Sequence, residues 1–218
     1  MNTDLSKFKE DDMRMLEPSF RGWSFALRLF LTGLILGSCI SSNTYATPND
    51  GVPASLVGVH HLGPDYLIYR FYINKIIGDN VGEGGGGGSR VCCITLPQKW
   101  QPSLTVDLRW AVDHIVRSTK PGVPETAEVE GIYQAQVPVE KYTKPGNFYV
   151  HFFPNGHARI VVTSISSHSE NHPIRFNDVH AIETATKGNK IKALFNATET
   201  QERRKATDDA IKEFGGWR

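Results

Sequence analysis

The clearest pattern in this sequence is an alternation of apolar and polar residues between positions 104 and 113. Leu104, Val106, Leu108, Trp110 and Val112 alternate with residues that are mostly polar. Successive side chains of a β-strand point to opposite faces, so this period of two predicts a strand with one buried face.

Two more strands are predicted at residues 148–153 and 158–165, which are rich in aromatic and β-branched residues. Pro154-Asn155-Gly156-His157 lies between them. Asn-Gly accepts positive φ angles, so this segment predicts a tight hairpin. Residues 67–73 and 90–96 predict further strands, and 55–61 and 129–139 show weaker strand patterns.

A helix is predicted only near the C-terminus, because prolines at 121, 124, 138, 145 and 173 disfavour long helices before it. Thr198 and Gln201 have the spacing of a capping box. The helical face that follows contains Ala206, Ala210, Ile211 and Phe214, and Gly215 ends it. The expected fold is mainly β: an antiparallel β-sandwich or a bent sheet with a C-terminal helix.

The charge balance excludes one large class of function. The chain has 24 Lys and Arg against 23 Asp and Glu, for a net charge of +1 over 218 residues. A nucleic-acid-binding protein would need a basic face, so nucleic acid is not an expected partner.

The N-terminus predicts a lipoprotein signal peptide over residues 1–38. Arg21 and Arg28 lead into a short apolar stretch that ends in Leu36-Gly37-Ser38-Cys39, the pattern of a bacterial lipobox. In this interpretation Cys39 is acylated and anchors the protein to a membrane. An ordinary cleaved signal, or an uncleaved anchor with Cys39 incidental, is the alternative.

The start of the chain and its destination follow from the same region. The acidic residues before the apolar stretch are atypical of a signal, so Met13 or Met15 is an alternative start to Met1. Ile40 rather than Asp follows Cys39, which favours the outer membrane, facing the periplasm. Residues 39–53 predict a flexible tether, and 54–218 a single β-rich periplasmic domain.

The glycine-rich run at 82–88 has two interpretations. It lacks the Gly-Lys-Ser/Thr ending of a phosphate-binding loop, so it predicts either a flexible hairpin loop or a loop that contacts a partner protein. The residues predicted to contact a partner are Glu83, Gly84, Gly85, Gly86, Gly87, Gly88, Arg90 and Trp100. Trp100, Trp110 and Trp217 are otherwise expected to anchor the core or its rim.

The cysteines and histidines give no catalytic or metal motif. Cys92 and Cys93 are predicted to be buried thiols, since neighbours in a strand face opposite sides; a vicinal disulfide or pairing with another chain is the alternative. His60 and His61 should diverge, and His168 and His172 lie in a loop, so the histidines are expected at the surface or as outer partners of other groups. No metal site, cofactor or catalytic residue is predicted.

A longer string of residues resembles a known family. It comprises Gly84 to Gly88, Val91-Cys92-Cys93-Ile94-Thr95-Leu96-Pro97, Trp100-Gln101-Pro102, Leu104-Thr105-Val106, Trp110, residues 149–157 and His172-Pro173. Over about residues 55–173 the chain is similar to a proteobacterial lipoprotein family classified as a domain of unknown function.

The resemblance implies a role without chemistry of its own. Members are often encoded beside phospholipase effectors of type VI secretion and are taken to be their immunity proteins. The resemblance therefore implies that this protein is not an enzyme and that it binds and occludes a cognate phospholipase effector in the periplasm. An envelope scaffold or chaperone lipoprotein is the alternative, and a periplasmic metal- or redox-handling protein is less favoured.

Overall fold

Two five-stranded β-sheets form the fold in a computed structural model, which describes residues 51–86 and 90–214, except the side chains of 206, 207 and 209–214. The strands are β1 Gly51–His60, β2 Tyr66–Ile73, β3 Ile76–Ile77, β4 Val91–Pro97, β5 Thr105–Val116, β6 Thr126–Pro138, β7 Asn147–Phe153, β8 His157–Thr163, β9 Thr186–Lys187 and β10 Asn189–Ile191. Helix α1 is Ala197–Phe214, and two 3-10 helices are Pro154–Gly156 and Ala181–Thr184.

The strand order makes two packed layers. Sheet A has the order β4-β1-β7-β8-β9, and sheet B has the order β10-β6-β5-β2-β3. Strands β1 and β7 are parallel, and the other neighbours are antiparallel. The chain passes from the edge of sheet A to the edge of sheet B at Gly188, whose N–H donates to Gly156 O at 2.8 Å. The expected mainly β sandwich with a C-terminal helix is confirmed.

Alternate residues of the strands fill the space between the two sheets. The large side chains that are fully buried there include Phe71, Leu108, Trp110, Phe148 and Phe152. The Trp110 ring lies 5.5 Å from the Tyr133 ring and 5.9 Å from that of Phe152. Burying each such side chain contributes about 1.5–3 kcal/mol, so this layer supplies most of the driving force for folding.

The hairpin between β7 and β8 is confirmed. Asn155 and Gly156 have φ angles of 58° and 70°, the left-handed conformation that Asn and Gly adopt most easily. The boundary of the predicted tether is wrong by three residues. Residues 51–53 already belong to β1, where Gly51 pairs with Pro97 and Pro53 with Thr95.

The N-cap of helix α1 lies two residues before the predicted one. Asn196 Oδ1 accepts the Glu199 N–H at 2.8 Å, and Glu199 Oε2 accepts the Asn196 N–H at 3.0 Å. This reciprocal pair is the capping box, so the predicted box of Thr198 and Gln201 is wrong. The predicted helical face at Ala206, Ala210, Ile211 and Phe214 lies outside the described side chains.

The outer face of sheet A is covered by residues 164–185, which we call the covering segment. A second apolar cluster lies beneath it, formed by Val57, Val59, Tyr149, Phe153, Val161, Ile174 and Ala181. Strand β7 is therefore buried on both faces, with Phe148, Val150 and Phe152 facing sheet B and Tyr149 and Phe153 facing the covering segment.

Candidate functional site

A chain of three histidines lies between sheet A and the covering segment. His61 Nε2 is 2.9 Å from His151 Nδ1, and His151 Nε2 is 3.1 Å from His172 Nε2. His61 follows the end of β1, His151 belongs to β7 and His172 to the covering segment. We call these three residues the histidine chain.

Strand register brings the first two rings together. Strand β1 runs parallel to β7 with Val59 beside His151, so the side chains that leave the outer face of sheet A near this point are neighbours. The His61 ring stacks on Phe153 with centroids 4.6 Å apart and lies 5.2 Å from the His151 ring. The alternation of β7 therefore places His151 on the outer face, between Tyr149 and Phe153.

Each end of the histidine chain contacts a backbone carbonyl of the covering segment. His61 Nδ1 lies 3.2 Å from Phe176 O, and His172 Nδ1 lies 3.0 Å from Ile165 O. Because a carbonyl oxygen can only accept, both Nδ1 atoms are donors. The His61 bond joins sheet A to the covering segment, whereas the His172 bond lies within the segment. The second link to sheet A is the contact between His151 and His172.

Burial keeps the histidine chain neutral. Desolvation lowers the pKa of His61 and His172, and it holds the pKa of His151 well below the ordinary range. The cation of Arg159, and a positive charge on His61 or His172, lower the pKa of His151 further. An imidazole at this site is consequently a hydrogen-bonding group rather than a cation at neutral pH.

The neighbouring His60 points the other way, into the space between the sheets, and is almost completely buried. Its Nε2 donates to Gly82 O at 2.8 Å, and its Nδ1 accepts the Leu62 N–H at 3.3 Å. The predicted divergence of His60 and His61 is confirmed. The expectation of surface histidines is wrong for His60, His151 and His172, which are all buried.

The described part of the glycine-rich run packs against His60. Gly85 has a φ angle of 72° and its carbonyl accepts the His60 N–H at 3.0 Å. A Cβ at Gly85 would overlap the His60 carbonyl oxygen, so glycine is required here. Glu83 is fixed by Arg117 Nη2 at 2.6 Å, and Arg117 also contacts Asp65 and Glu125 at 3.1 Å. Gly85 is thus part of the packed fold, whereas Gly82, Glu83 and Gly84 are exposed at its surface.

The residues predicted to contact a partner do not form one patch. Trp100 packs against the inter-sheet core, and its Nε1 donates to Val139 O at 2.8 Å. Trp100 lies near the Gly51 end of β1, where Pro97 pairs, whereas Gly85 lies at the His60 end. A ten-residue strand separates these ends by about 30 Å. Arg90 is exposed just before β4; Gly87 and Gly88 lie outside the described residues.

An apolar groove lies beside His61, with a cavity volume of about 270 Å³. It is lined by His61, Phe153, Pro154, Phe176, Asn177, Asp178, Val179 and Ile182. We call it the Phe176 groove. Phe176 is 41% exposed and Val179 is 78% exposed. A second depression, of about 360 Å³, shares the rings of His61 and Phe176 with this groove. It is lined by His60, His61, Gly63, Pro64, Gly84 and Phe176.

A larger cavity of about 550 Å³ lies between helix α1 and sheet B. Its charged lining comes from Arg70, Arg203, Arg204 and Asp208. The Arg203 guanidinium lies over the rings of Tyr72 and Phe195 at 4.4 and 4.3 Å, so it packs the helix onto the sheet. We therefore interpret this cavity as part of the helix attachment.

The prediction of buried thiols at Cys92 and Cys93 is wrong. The two residues form a vicinal disulfide, the peptide bond between them is cis, and both are exposed. Strand β4 is the edge strand of sheet A, so neighbouring strands cover it on one side alone. The alternative of a vicinal disulfide is the correct one.

His151 belongs to neither the adjacent pair His60-His61 nor the pair His168 and His172, so histidine spacing gave no prediction for it. Strand β7 carried a usable signal: six consecutive residues, Phe148 to Phe153, are apolar except for His151. A run without alternation is typical of a strand buried on both faces, and any histidine within it is then buried. Within residues 51–86 and 90–214, no three or more His, Cys, Asp or Glu side chains are arranged to hold a metal ion.

The lipid anchor predicted at Cys39 and the signal at residues 1–38 lie outside the described residues, as does the tether up to residue 50. No helix in the described part of the chain combines the length and the apolar character needed to cross a membrane.

Comparisons with known proteins give one match. Neither the comparison with curated proteins nor that with solved structures finds a significant match. Residues 64–160 match a family model, and this range includes His151 but not His61 or His172. The matching model is that of the family described as Protein of unknown function (DUF3304), and it covers less than half of the chain.

Proposed function

We propose that this protein is a lipid-anchored immunity lipoprotein of the periplasm, which binds and occludes a phospholipase effector of type VI secretion. The effector class comes from the sequence resemblance. The observation that carries the proposal of a binding protein is the Phe176 groove, an apolar and exposed surface on a rigid sandwich. Partner binding by this surface needs no catalytic group.

The composition of the Phe176 groove supports a protein partner. Protein interfaces have an apolar centre and a polar rim, with aromatic residues enriched at the centre. Phe176 and Val179 supply exposed apolar surface, whereas Asn177 and Asp178 supply polar groups beside them. The groove is wide enough for an apolar side chain of the partner, and Asp178 can receive a basic group at its edge.

The attachment of the groove to the sandwich supports tight binding. Phe176 and Val179 belong to the covering segment, which packs on sheet A through the second apolar cluster. Arg159 Nη1 donates to Ala181 O at 3.0 Å and fixes the segment beyond the groove. A surface that is already ordered loses less conformational entropy on binding, and this favours affinity.

The proposed anchor brings the groove to the site where a phospholipase acts. Acylation of Cys39 would hold the domain at the membrane, with residues 40–50 between the lipid and β1. These eleven residues span at most about 40 Å when extended. A protein held within this distance of the bilayer can cover the substrate entrance of an enzyme that attacks phospholipid.

A killing assay between sister cells tests the proposal. Deleting the gene is expected to sensitise the cells, and the wild-type gene should restore survival. Val179→Asp should fail to restore survival, because it puts a charge where apolar contact is needed. Val123→Asp is the matched control, since Val123 is also an exposed loop valine, at 50%. Cys39→Ala should restore survival less well than wild type.

The outcomes separate the parts of the proposal. Unchanged survival of the deletion strain while the secretion system is active would contradict the immunity role. Full protection by Val179→Asp would move the contact surface away from the Phe176 groove. Full protection by Cys39→Ala, with no palmitate incorporated into the wild-type protein, would contradict the lipid anchor.

A further inference from the structure

The histidine chain makes four hydrogen-bonding contacts, but its three neutral rings have only three N–H donors. Its contacts run from Phe176 O through His61, His151 and His172 to Ile165 O. These are four contacts, and each needs one N–H. Three neutral imidazoles carry three N–H groups, because each has one donor and one acceptor nitrogen.

The missing proton can be located by following the donors. His61 and His172 both donate from Nδ1 to carbonyls, so their Nε2 atoms carry lone pairs when the rings are neutral. His151 can donate from Nδ1 to His61 or from Nε2 to His172, but not both. In the neutral state one of the two histidine–histidine contacts, at 2.9 and 3.1 Å, therefore brings two lone pairs together.

His60 shows that a buried histidine in this protein need not have this problem. It donates to Gly82 O and accepts from Leu62 N, so the neutral form satisfies both ring nitrogens. The shortage of one proton belongs to the histidine chain, which begins and ends on an acceptor.

The charged groups around the histidine chain oppose protonation on one side and weakly favour it on another. Arg159 pairs with His151 in the β7–β8 register, and its cation disfavours a second positive charge there, although Glu140 at 2.7 Å partly neutralises it. On the covering segment, Asp178 favours a charge on His61, whereas His60 disfavours it. His180 is exposed and bonded to Glu183 at 2.7 Å.

We propose that the histidine chain is an acid-sensitive latch, which holds the covering segment on sheet A at neutral pH and releases it as the pH falls below about 6.5. The inference concerns the folding of this chain and does not depend on the proposed partner. Its physical basis is burial together with the proton count. The contacts can take up only one added proton, which places a charge in an apolar layer, and a second proton makes two N–H donors face each other at one of the histidine–histidine contacts.

The sign of the effect follows from linkage. Burial lowers the pKa values of His61, His151 and His172 when the segment is closed. When the segment is open, these rings reach water and protonate near pH 6.5. At a pH between the pKa values of the closed state and those of the open state, the open state binds more protons than the closed state. Opening therefore becomes more favourable as the pH falls. The opening equilibrium rises about tenfold per pH unit for each proton that the open state takes up beyond the closed state.

Opening would change the surface of the protein. The covering segment carries Phe176 and Val179, so its release would dismantle the Phe176 groove. It would also expose the apolar outer face of sheet A, including Val57, Tyr149 and Val161. Release therefore converts a small exposed groove into a large exposed apolar face.

Hydrogen exchange of the full chain, followed by mass spectrometry from pH 7.5 to 5.0 and corrected for the intrinsic pH dependence, tests this inference. Peptides from residues 164–185 are expected to lose protection at least tenfold between pH 6.5 and 5.5. Peptides from β5 and β6 should keep theirs. Equal loss throughout the protein, or constant protection of the segment, would overturn the proposal.

His172→Gln is the variant that tests the proton count. Its amide cannot titrate, yet it can donate to His151 Nε2 without an added proton. The rise in opening between pH 6.5 and 5.5 should then be about fivefold smaller than in wild type. His180→Gln is the matched control within the same segment and should behave as wild type. An unchanged rise in His172→Gln would overturn the latch.

If His172→Gln does not fold, a measurement on the wild-type protein tests the proposal instead. Nitrogen-15 spectra of the imidazoles in the wild-type protein should show three rings that take up protons together, below pH 6.5, as the segment opens. Three rings that titrate independently at ordinary pH values would overturn the proposal.

Discussion

Helix α1 covers part of the outer face of sheet B through charged contacts, whereas the covering segment lies on sheet A through apolar side chains and neutral histidines. On sheet B, Arg109 donates to both carboxylate oxygens of Glu199, at 2.9 and 3.0 Å, and to Asp107 at 3.0 Å. On sheet A, the contacts at His61, His151 and His172 join rings whose pKa values burial lowers.

The two attachments respond to acid in different ranges. The hydrogen bonds from Arg109 lower the pKa of Glu199 to about 2, below its ordinary value of 4.5. Its contribution to stability is therefore present above pH 4.5 and is lost as the pH falls towards 2. The histidine contribution is lost already below about pH 6.5. Paired charges thus tolerate mild acid, whereas buried neutral imidazoles do not.

The largest expected effect comes from removing apolar contact under the covering segment. Ile174 is fully buried in the second apolar cluster, so Ile174→Ala should destabilise the closed covering segment by about 3 kcal/mol. Hydrogen exchange of residues 164–185 at pH 7.5 measures it. Ile77→Ala is the control, because Ile77 is exposed on edge strand β3; an equal effect in both variants would refute the assignment.

A smaller effect is expected from breaking the charged attachment of helix α1. Arg109→Met leaves Glu199 and Asp107 without their cation, and should destabilise the helix attachment by about 2 kcal/mol. Urea unfolding monitored by circular dichroism measures it. Arg70→Met should cost less than about 0.5 kcal/mol, because Arg70 is exposed and stacks on Tyr69 at the surface. Loss of protection in the covering segment of Arg109→Met would mean that the two attachments are coupled.

The smallest of these effects concerns the start of helix α1. Asn196→Ala removes the side chain that accepts the Glu199 N–H, and should destabilise the helix by about 1 kcal/mol. Asn196→Ser should retain most of that stability, since Ser also caps a helix. Hydrogen exchange of the amides in residues 197–205 distinguishes the two variants. Equal exchange rates in Asn196→Ala and Asn196→Ser would contradict the observed capping box.

The parts of the fold that sequence predicts well depend on neighbours along the chain. The alternation at 104–112 predicts β5, and Asn155-Gly156 predicts the hairpin because its backbone conformation is a property of those residues. The wrong predictions concern features that depend on contacts with residues distant in the sequence or on which of several matching patterns is used. Cys92 and Cys93 were predicted from regular strand alternation, and the helix cap from a matching spacing that Asn196 and Glu199 also satisfy.

The candidate site was less accessible to sequence reasoning. Glu83 and Trp100 look like contact residues, but Arg117 binds the first and Val139 O the second, through contacts that no local pattern indicates. The Phe176 groove was not predicted, because residues 164–185 contain no regular strand and their packing on sheet A depends on the finished sheet.

The sequence by itself indicated the seven longer strands, since side-chain alternation and turn preferences act over a few residues. The short strands β3, β9 and β10 were not predicted. The sequence also determined that β7 has no polar face. Only the tertiary structure decided that His61, His151 and His172 meet, because their separations of 90 and 21 residues are bridged by strand register and by a segment that folds back over the sheet. Hydrogen bonding between such rings depends on positions in space, which the order of residues does not specify.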